Sequence, residues 1–181
     1  TSTDEDASHY DDENPWLFLS VSGAMEMCTA LAAALSSTDS DYTDQYDENL
    51  ASYKHRLEAL SDQMAAITAA APDRKVALMH EGLSYLADEL ALNVVLNVRR
   101  EPNTYFEDTE METTIQSLRD AGAEVVLLEK QVPMRLTRAL ESAGFRVALI
   151  DTLSTHTADR DPKGYENAML SNARALADAL K

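Results

Sequence analysis

The sequence Arg-Lys-Val-Ala-Leu-Met-His-Glu-Gly-Leu-Ser-Tyr-Leu-Ala-Asp-Glu-Leu-Ala-Leu, at residues 74–92, decides the fold. Val76–Met79 is an apolar run typical of a buried strand; it ends at His80, and Gly82 then turns the chain into an amphipathic helix. Ligands of open parallel α/β sheets gather at the carboxyl ends of the strands. His80 is therefore a candidate functional side chain. The alternative, a histidine that caps the helix or packs beneath a loop, stays open on this spacing.

Strand and helix patterns alternate from Arg74 to the end of the sequence. Predicted strands occupy 75–79, 93–98, 124–128 and 146–150, and predicted helices occupy 82–91, 109–121, 132–143 and 163–180. Gly122 and Gly144 each follow a predicted helix at the position where a glycine commonly ends one. Short apolar strands separated by helices predict a parallel sheet with helices on both faces. The predicted fold class is α/β, a three-layer domain with a four-stranded parallel sheet flanked by helices.

The first 73 residues lack this alternation. Residues 1–14 are acidic and polar without an apolar period, which predicts a flexible segment. Pro15–Leu19 suits a strand or a docking segment, and a helix with its larger apolar side chains on one face follows over 24–35, with Ser22 as its N-cap. Apolar residues at three- and four-residue steps predict one long helix over 41–71, either a spine that precedes the sheet domain or a coiled-coil strand.

Composition excludes several classes of partner. The 181 residues carry a formal net charge of −17, and residues 1–53 hold twelve Asp or Glu and no Lys or Arg, so nucleic acid and anionic membrane surfaces are not expected partners. The single cysteine, Cys28, lies in an apolar stretch, which predicts a buried thiol and excludes an intrachain disulfide. No apolar run reaches the roughly 18 residues of a membrane span. No signal peptide is recognised, which says little about compartment because a trimmed chain would have lost it.

Charged side chains follow all four predicted strands. They are His80-Glu81, Arg99-Arg100-Glu101-Pro102, Glu129 and Asp151. A histidine and several carboxylates at one sheet edge suit a divalent metal, since imidazole favours zinc and carboxylates also accept manganese. The same residues could serve a purely structural purpose if Glu101 or Glu129 forms ion pairs with Arg99 or Arg100. For these two glutamates and two arginines we prefer that interpretation.

Motifs of covalent catalysis are missing from the sequence. There is no Gly-x-Ser-x-Gly, all five glycines are isolated, and Ser154 and His156 have no evident orienting partner. The sequence therefore predicts that the protein is not an enzyme.

Four stretches are similar in order and spacing to one known family. They are Met79-His80-Glu81-Gly82-Leu83-Ser84-Tyr85-Leu86, Tyr46-x-x-Asn49-x-x-x-Tyr53-x-x-x-Leu57-x-x-Leu60, Ile150-Asp151-Thr152-Leu153-Ser154 and Tyr165-x-x-x-Met169-x-x-Asn172-x-x-x-Leu176-x-x-Ala179-Leu180. Over residues 15–181 the chain resembles the C-terminal part of the zinc- and manganese-binding receptors of ABC transporters, the adhesin-type substrate-binding lipoproteins of cluster A-I.

The resemblance implies a domain organisation and a biological role. Residues 15–40 would end a first lobe, 41–71 would connect two lobes, and 72–181 would form the second lobe. The protein would be an extracytoplasmic receptor, periplasmic or at the cell surface, that delivers zinc or manganese to the membrane permease of an ABC importer. It would reach the membrane only through a lipid anchor outside this chain.

The resemblance also implies a set of metal ligands. His80 and Asp151 match ligand positions of the second lobe. Glu129 falls where the family often has a glutamate after the third strand, and His9 lies in the segment where zinc receptors carry an acidic, His-rich loop. One expected ligand differs, because Trp16 stands where the family has a histidine, and the first lobe with its own histidine is absent from this sequence. The alternative is a family-like surface interaction or solute-binding module without metal, and a third reading is an enzyme of flavodoxin-like topology.

Overall fold

The computed structural model describes residues 14–98, 107–154 and 161–181. Its strands and helices follow the order predicted from the sequence. They are α1 (Val21–Thr38), α2 (Thr43–Thr68), β1 (Lys75–Leu78), α3 (Leu83–Glu89), β2 (Asn93–Asn97), α4 (Asp108–Asp120), β3 (Val125–Glu129), α5 (Met134–Ser142), β4 (Arg146–Ile150) and α6 (Gly164–Leu180), with short 3₁₀ turns at Leu17–Leu19 and Ser40–Tyr42. No helix in the described ranges is long and apolar enough to cross a membrane.

The four strands form one parallel sheet in the order β2-β1-β3-β4. The chain steps from β1 outward to β2 and then returns past β1 to β3, so the direction of winding reverses between β1 and β3. In doubly wound sheets this reversal leaves a crevice at the carboxyl ends of the two strands, where ligands bind. His80 follows β1 and Glu129 ends β3, so both border the crevice.

Two apolar clusters cover the two faces of the sheet and confirm the three-layer prediction. One cluster joins one face of the sheet to α1, α2, α3 and α6, and the other joins the opposite face to α4 and α5. Strand β3 is buried along its whole length because it lies between β1 and β4 and beneath both helix layers. Gly122 and Gly144 have φ values of +68° and +95°, which confirms their predicted place after α4 and α5.

The segment before α1 differs from its prediction. Of the two alternatives predicted for Pro15–Leu19, the structure shows no strand; Leu17–Leu19 form a 3₁₀ turn with Leu19 fully buried, which fits a docking segment. The N-cap of α1 is Ser20, whose hydroxyl accepts a hydrogen bond from the Gly23 N–H, so the assignment of Ser22 was wrong by two residues. Ser22 instead donates its backbone N–H and its hydroxyl to the carboxylate of Glu89 on α3.

The apolar face of α1 is exposed. Met27, Leu31 and Leu35 share one side of the helix as expected, but they are 46%, 60% and 39% exposed, while its small residues contact the core. Cys28 is half-buried and lines an open apolar groove between α1 and α2, which corrects the prediction of a buried thiol. The buried residues of helix α2 are Leu57, Leu60 and Met64, all in its C-terminal half, and half-buried Tyr53 also packs against the core.

Candidate functional site

His80 lies two residues beyond the end of β1, with 4% of its surface exposed. Its Nδ1 accepts a hydrogen bond of 3.1 Å from the backbone N–H of Gly82. A neutral imidazole that accepts at Nδ1 carries its proton on Nε2. In this arrangement neither ring nitrogen offers a free lone pair, so metal coordination by His80 requires the bond from Gly82 to break.

Trp16 packs against His80. The two ring centroids are 4.9 Å apart at an interplanar angle of 84°, an edge-to-face contact. Asn14 holds the backbone at Trp16, because its side-chain oxygen accepts a hydrogen bond of 3.1 Å from the Trp16 backbone N–H. Its amide nitrogen in turn donates to the Glu81 carbonyl at 3.0 Å and the Ser84 hydroxyl at 3.1 Å. The segment before α1 is thus tied to the β1–α3 turn, with the indole set against the imidazole.

Gly82 permits this packing. A Cβ at position 82 would lie 2.5 Å from Cγ of Trp16 and 2.8 Å from Cε1 of His80. The backbone at Gly82 has φ −56° and ψ −25°, values that any residue adopts. Glycine is therefore required here by the close approach of the two rings and not by the backbone conformation.

The environment of His80 favours the neutral ring. Burial lowers the pKa of His80 below its usual value, and the negative charges of Glu129 and Glu81 partly oppose that shift. The side chain that borders the crevice is therefore uncharged at neutral pH, and neutral imidazole is the form that binds metals.

The two carboxylates of the predicted site differ in their surroundings. Glu129 is 5% exposed and ends β3, opposite Ile150 of β4. Asp151 follows β4, one strand further from His80, and is half-buried. Its carboxylate accepts from the Leu153 backbone N–H at 3.0 Å and lies 3.3 Å from Nζ of Lys130. Both oxygens of Asp151 thus already have partners.

Asn172, on α6, holds the backbone at Asp151. The side chain is fully buried; its oxygen accepts from the Asp151 N–H at 2.8 Å, and its nitrogen donates to the Asp151 carbonyl at 2.9 Å. Sequence reasoning did not assign this role. A signal was present, since an asparagine in the middle of an apolar helix stripe needs buried polar partners.

The structure brings some of the predicted ligands together and separates others. Glu129, at the end of the neighbouring strand, is close enough for its charge to act on His80, while Asp151 pairs with Lys130. Within the described ranges no three His, Cys, Asp or Glu side chains converge as a metal site would require. His9 and the proposed partners Arg99, Arg100 and Glu101 lie outside the described residues.

Three comparisons with known proteins bear on the family and the fold of the chain. A family model described as "Zinc-uptake complex component A periplasmic" matches residues 1–179. The high-affinity zinc uptake system protein ZnuA of Brucella abortus (strain 2308) is 21% identical over 151 residues, which are 83% of this chain and 45% of that protein. The chain therefore spans about half the length of the curated relatives it matches.

Solved structures share the fold. The SBP FpvC from Pseudomonas aeruginosa in complex with Mn²⁺ superposes with a TM-score of 0.80 at 25% identity and covers 92% of this chain and 63% of its own. A crystal structure of ZnuA gives a TM-score of 0.71 at 22% identity, over 93% of this chain and 62% of its own. The laminin-binding adhesin Lmb from Streptococcus agalactiae, in a mutant structure, gives 0.72 at 19% identity, over 93% and 63%.

Proposed function

We propose that this chain, which belongs to the family of the periplasmic component A of zinc-uptake complexes, forms the second lobe of an extracytoplasmic receptor for a divalent metal. The receptor would deliver zinc or manganese to the membrane permease of an ABC importer. Residues 15–40 would end the first lobe and 41–71 would connect the lobes. The lipid anchor outside this chain stays a prediction.

The position of His80 carries the proposal. It is a neutral, buried imidazole at the crevice where the winding of the sheet reverses, and the charge of Glu129 on the neighbouring strand acts on it. This is the place where doubly wound sheets bind ligands, and imidazole with carboxylate is a ligand set that suits zinc and accepts manganese. We propose His80 as the metal ligand of this lobe, with Asp151 and Glu129 as candidate carboxylate ligands. His9 remains a predicted ligand.

The affinity expected of this chain is modest. Structural zinc sites with four ligands gain about 10–16 kcal/mol. If two ligands contribute roughly half of that, the dissociation constant falls between about 1 and 200 μM. The Gly82–His80 bond and the Trp16 packing weaken binding further, since both must change before His80 can coordinate.

The test is a titration with zinc and then manganese, followed by calorimetry and by the fluorescence of Trp16, the single tryptophan. The matched variants are His80→Gln and His55→Gln, since His55 lies on the exposed face of α2 with 88% of its side chain accessible. Moderate salt screens diffuse cation binding to the acidic surface. Saturable binding with a fluorescence change that His80→Gln abolishes and His55→Gln preserves is expected. Binding that both variants retain would overturn the assignment of His80.

The second candidate is a family-like surface interaction or solute-binding module without metal. One observation favours it: Trp16 stands where the resemblance places a histidine ligand, and its ring occupies the space against His80. An indole N–H cannot coordinate a cation. No saturable binding of either metal by the folded wild-type chain would favour this candidate.

A further inference from the structure

We propose that a cleft at the amino ends of the strands, opposite the crevice that His80 borders, binds a phosphate group. The cleft has a volume of about 390 Å³ and lies where β3 and β4 begin, between the ends of α4 and α5. Three arginines line it: Arg74, Arg119 and Arg146. This concentration of cations is unexpected in a chain of net charge −17, and it is independent of the candidate metal site.

One arginine of the cleft, Arg74, is held by the protein's own groups. Arg74 donates to the carbonyls of Leu180 and Lys181 at the end of α6, at 2.5 and 2.8 Å, and to the Glu124 carboxylate at 3.0 Å. The other oxygen of Glu124 accepts from the backbone N–H of Lys75 at 3.2 Å. Both oxygens of this carboxylate are therefore occupied without contact to the other two arginines.

Two guanidinium groups keep most of their donors available. Arg119 makes one long contact, 3.5 Å to the Ala143 carbonyl. In the part of the chain that the structure describes, the guanidinium of Arg146 makes no hydrogen bond or ion pair, and it acts on the Glu124 carboxylate through its charge alone. Each guanidinium carries five N–H donors in a planar fork that matches the oxygens of a phosphate. The Lys75 ammonium lies 3.5 Å from where a Cβ of Gly122, a lining residue, would stand, and it adds a further positive charge near the cleft.

The local charge balance favours an anion. Four cations and the carboxylate of Glu124 leave a formal charge of about +3 before the neighbouring Asp120 and Glu141 are counted, and these two would reduce it to +1. The C-terminal ends of α4 and α5 also face the cleft and oppose anion binding by a fraction of a charge each. Their last carbonyls are satisfied by the turns at Gly122 and Gly144, which reduces that opposition.

The ligand chemistry is a phosphate oxyanion held by paired guanidinium forks, from either free phosphate or a lipid headgroup. The strongly negative charge of the chain disfavours adsorption to an anionic membrane. We therefore assign the site to a small soluble phosphate and use vesicles as the second arm of the test.

The experiment is an NMR titration of the 15N-labelled chain with inorganic phosphate, following the backbone amides of Gly122 and Gly144 on the cleft and of buried Gly23 as an internal reference. Half-saturation on the order of 1 mM is expected, as is a loss of about tenfold or more in Arg146→Gln. Arg174→Gln, an exposed arginine on α6, is the charge-matched control and should bind as the wild type does.

Two further arms make the result decisive. Sodium chloride at matched ionic strength should not reproduce the shifts, and equal shifts with chloride would overturn the proposal. Sedimentation with phosphatidylglycerol vesicles should show no binding. Vesicle binding that requires Arg146 would keep the phosphate site and assign it to a lipid headgroup. Failure of both phosphate sources to bind the folded chain would refute it.

Discussion

Replacing Gly82 with alanine tests the packing at the crevice. The new methyl group would lie 2.5 Å from Cγ of Trp16 and 2.8 Å from Cε1 of His80, closer than carbon atoms approach without displacement. The helical backbone at Gly82 alone would favour alanine by about 0.4–1 kcal/mol. Overpacking in a buried site costs about 1–3 kcal/mol, so we expect a net loss of roughly 1–2 kcal/mol in the free energy of unfolding.

Urea unfolding followed by circular dichroism measures this loss. A double-mutant cycle with Trp16→Ala identifies its source, because removing the indole removes the shortest contact of the new methyl group. The cycle should give a coupling energy of about 1 kcal/mol or more. The matched control is Gly164→Ala at the start of α6, where a Cβ meets nothing within 4 Å, and it should be neutral or slightly stabilising.

The result that refutes the reasoning is specific. If Gly82→Ala is neutral in the wild type, or costs the same in the Trp16→Ala background, the indole does not lie against the β1–α3 turn as the structure has it. A gain in stability equal to that of Gly164→Ala would show instead that helix propensity dominates at both positions.

The remaining predictions address the support of Asp151 by Asn172, the side chain at position 16, and the pH dependence of stability. Asn172→Ala should lower the free energy of unfolding by about 2–4 kcal/mol in urea titrations, because it leaves the backbone N–H and carbonyl of Asp151, which meet the fully buried Asn172 side chain, without partners. Trp16→His should tighten zinc binding by about tenfold or more in calorimetry by adding an imidazole ligand, and Trp16→Phe should not. In the unfolded chain His80 is protonated near pH 6.5, whereas burial lowers its pKa in the folded chain. The free energy of unfolding of the wild type should therefore fall as the pH drops below about 6.5, and level off below the folded pKa. His80→Gln should reduce this slope in unfolding curves measured across that range, and an unchanged slope would count against a buried neutral His80.

The sheet domain was predictable because its strands and helices are short and clearly separated. Apolar runs of four or five residues, bounded by glycine or charged residues, fixed β1 to β4 to within one or two positions. Gly122 and Gly144 marked the ends of α4 and α5 because a left-handed residue there satisfies the last helix carbonyls. These are local signals that do not depend on tertiary contacts.

The N-terminal segment was harder because tertiary contacts decide it. Periodicity identified the residues that share the apolar face of α1, but it could not show that Met27 and Leu31 are left exposed. Ser20 and Ser22 are both good N-capping residues. Ser22 donates to Glu89, which is 67 positions away in the sequence, and Ser20 caps the helix. The contact between Trp16 and His80 is equally non-local.

Strand order explains why the candidate site differs from the sequence pattern. The sequence shows which residues follow strands but not which strands are neighbours, and the order β2-β1-β3-β4 places Glu129 beside His80 and Asp151 one strand further away. Asp151 could leave Lys130 at little cost, since exposed ion pairs contribute about 0–1 kcal/mol. His80 must instead lose a buried hydrogen bond from Gly82 and the packing of Trp16. The resistance to metal capture therefore lies at the β1–α3 turn and not at the carboxylates, which is why substitutions at Trp16 should change metal affinity more than substitutions at Asp151.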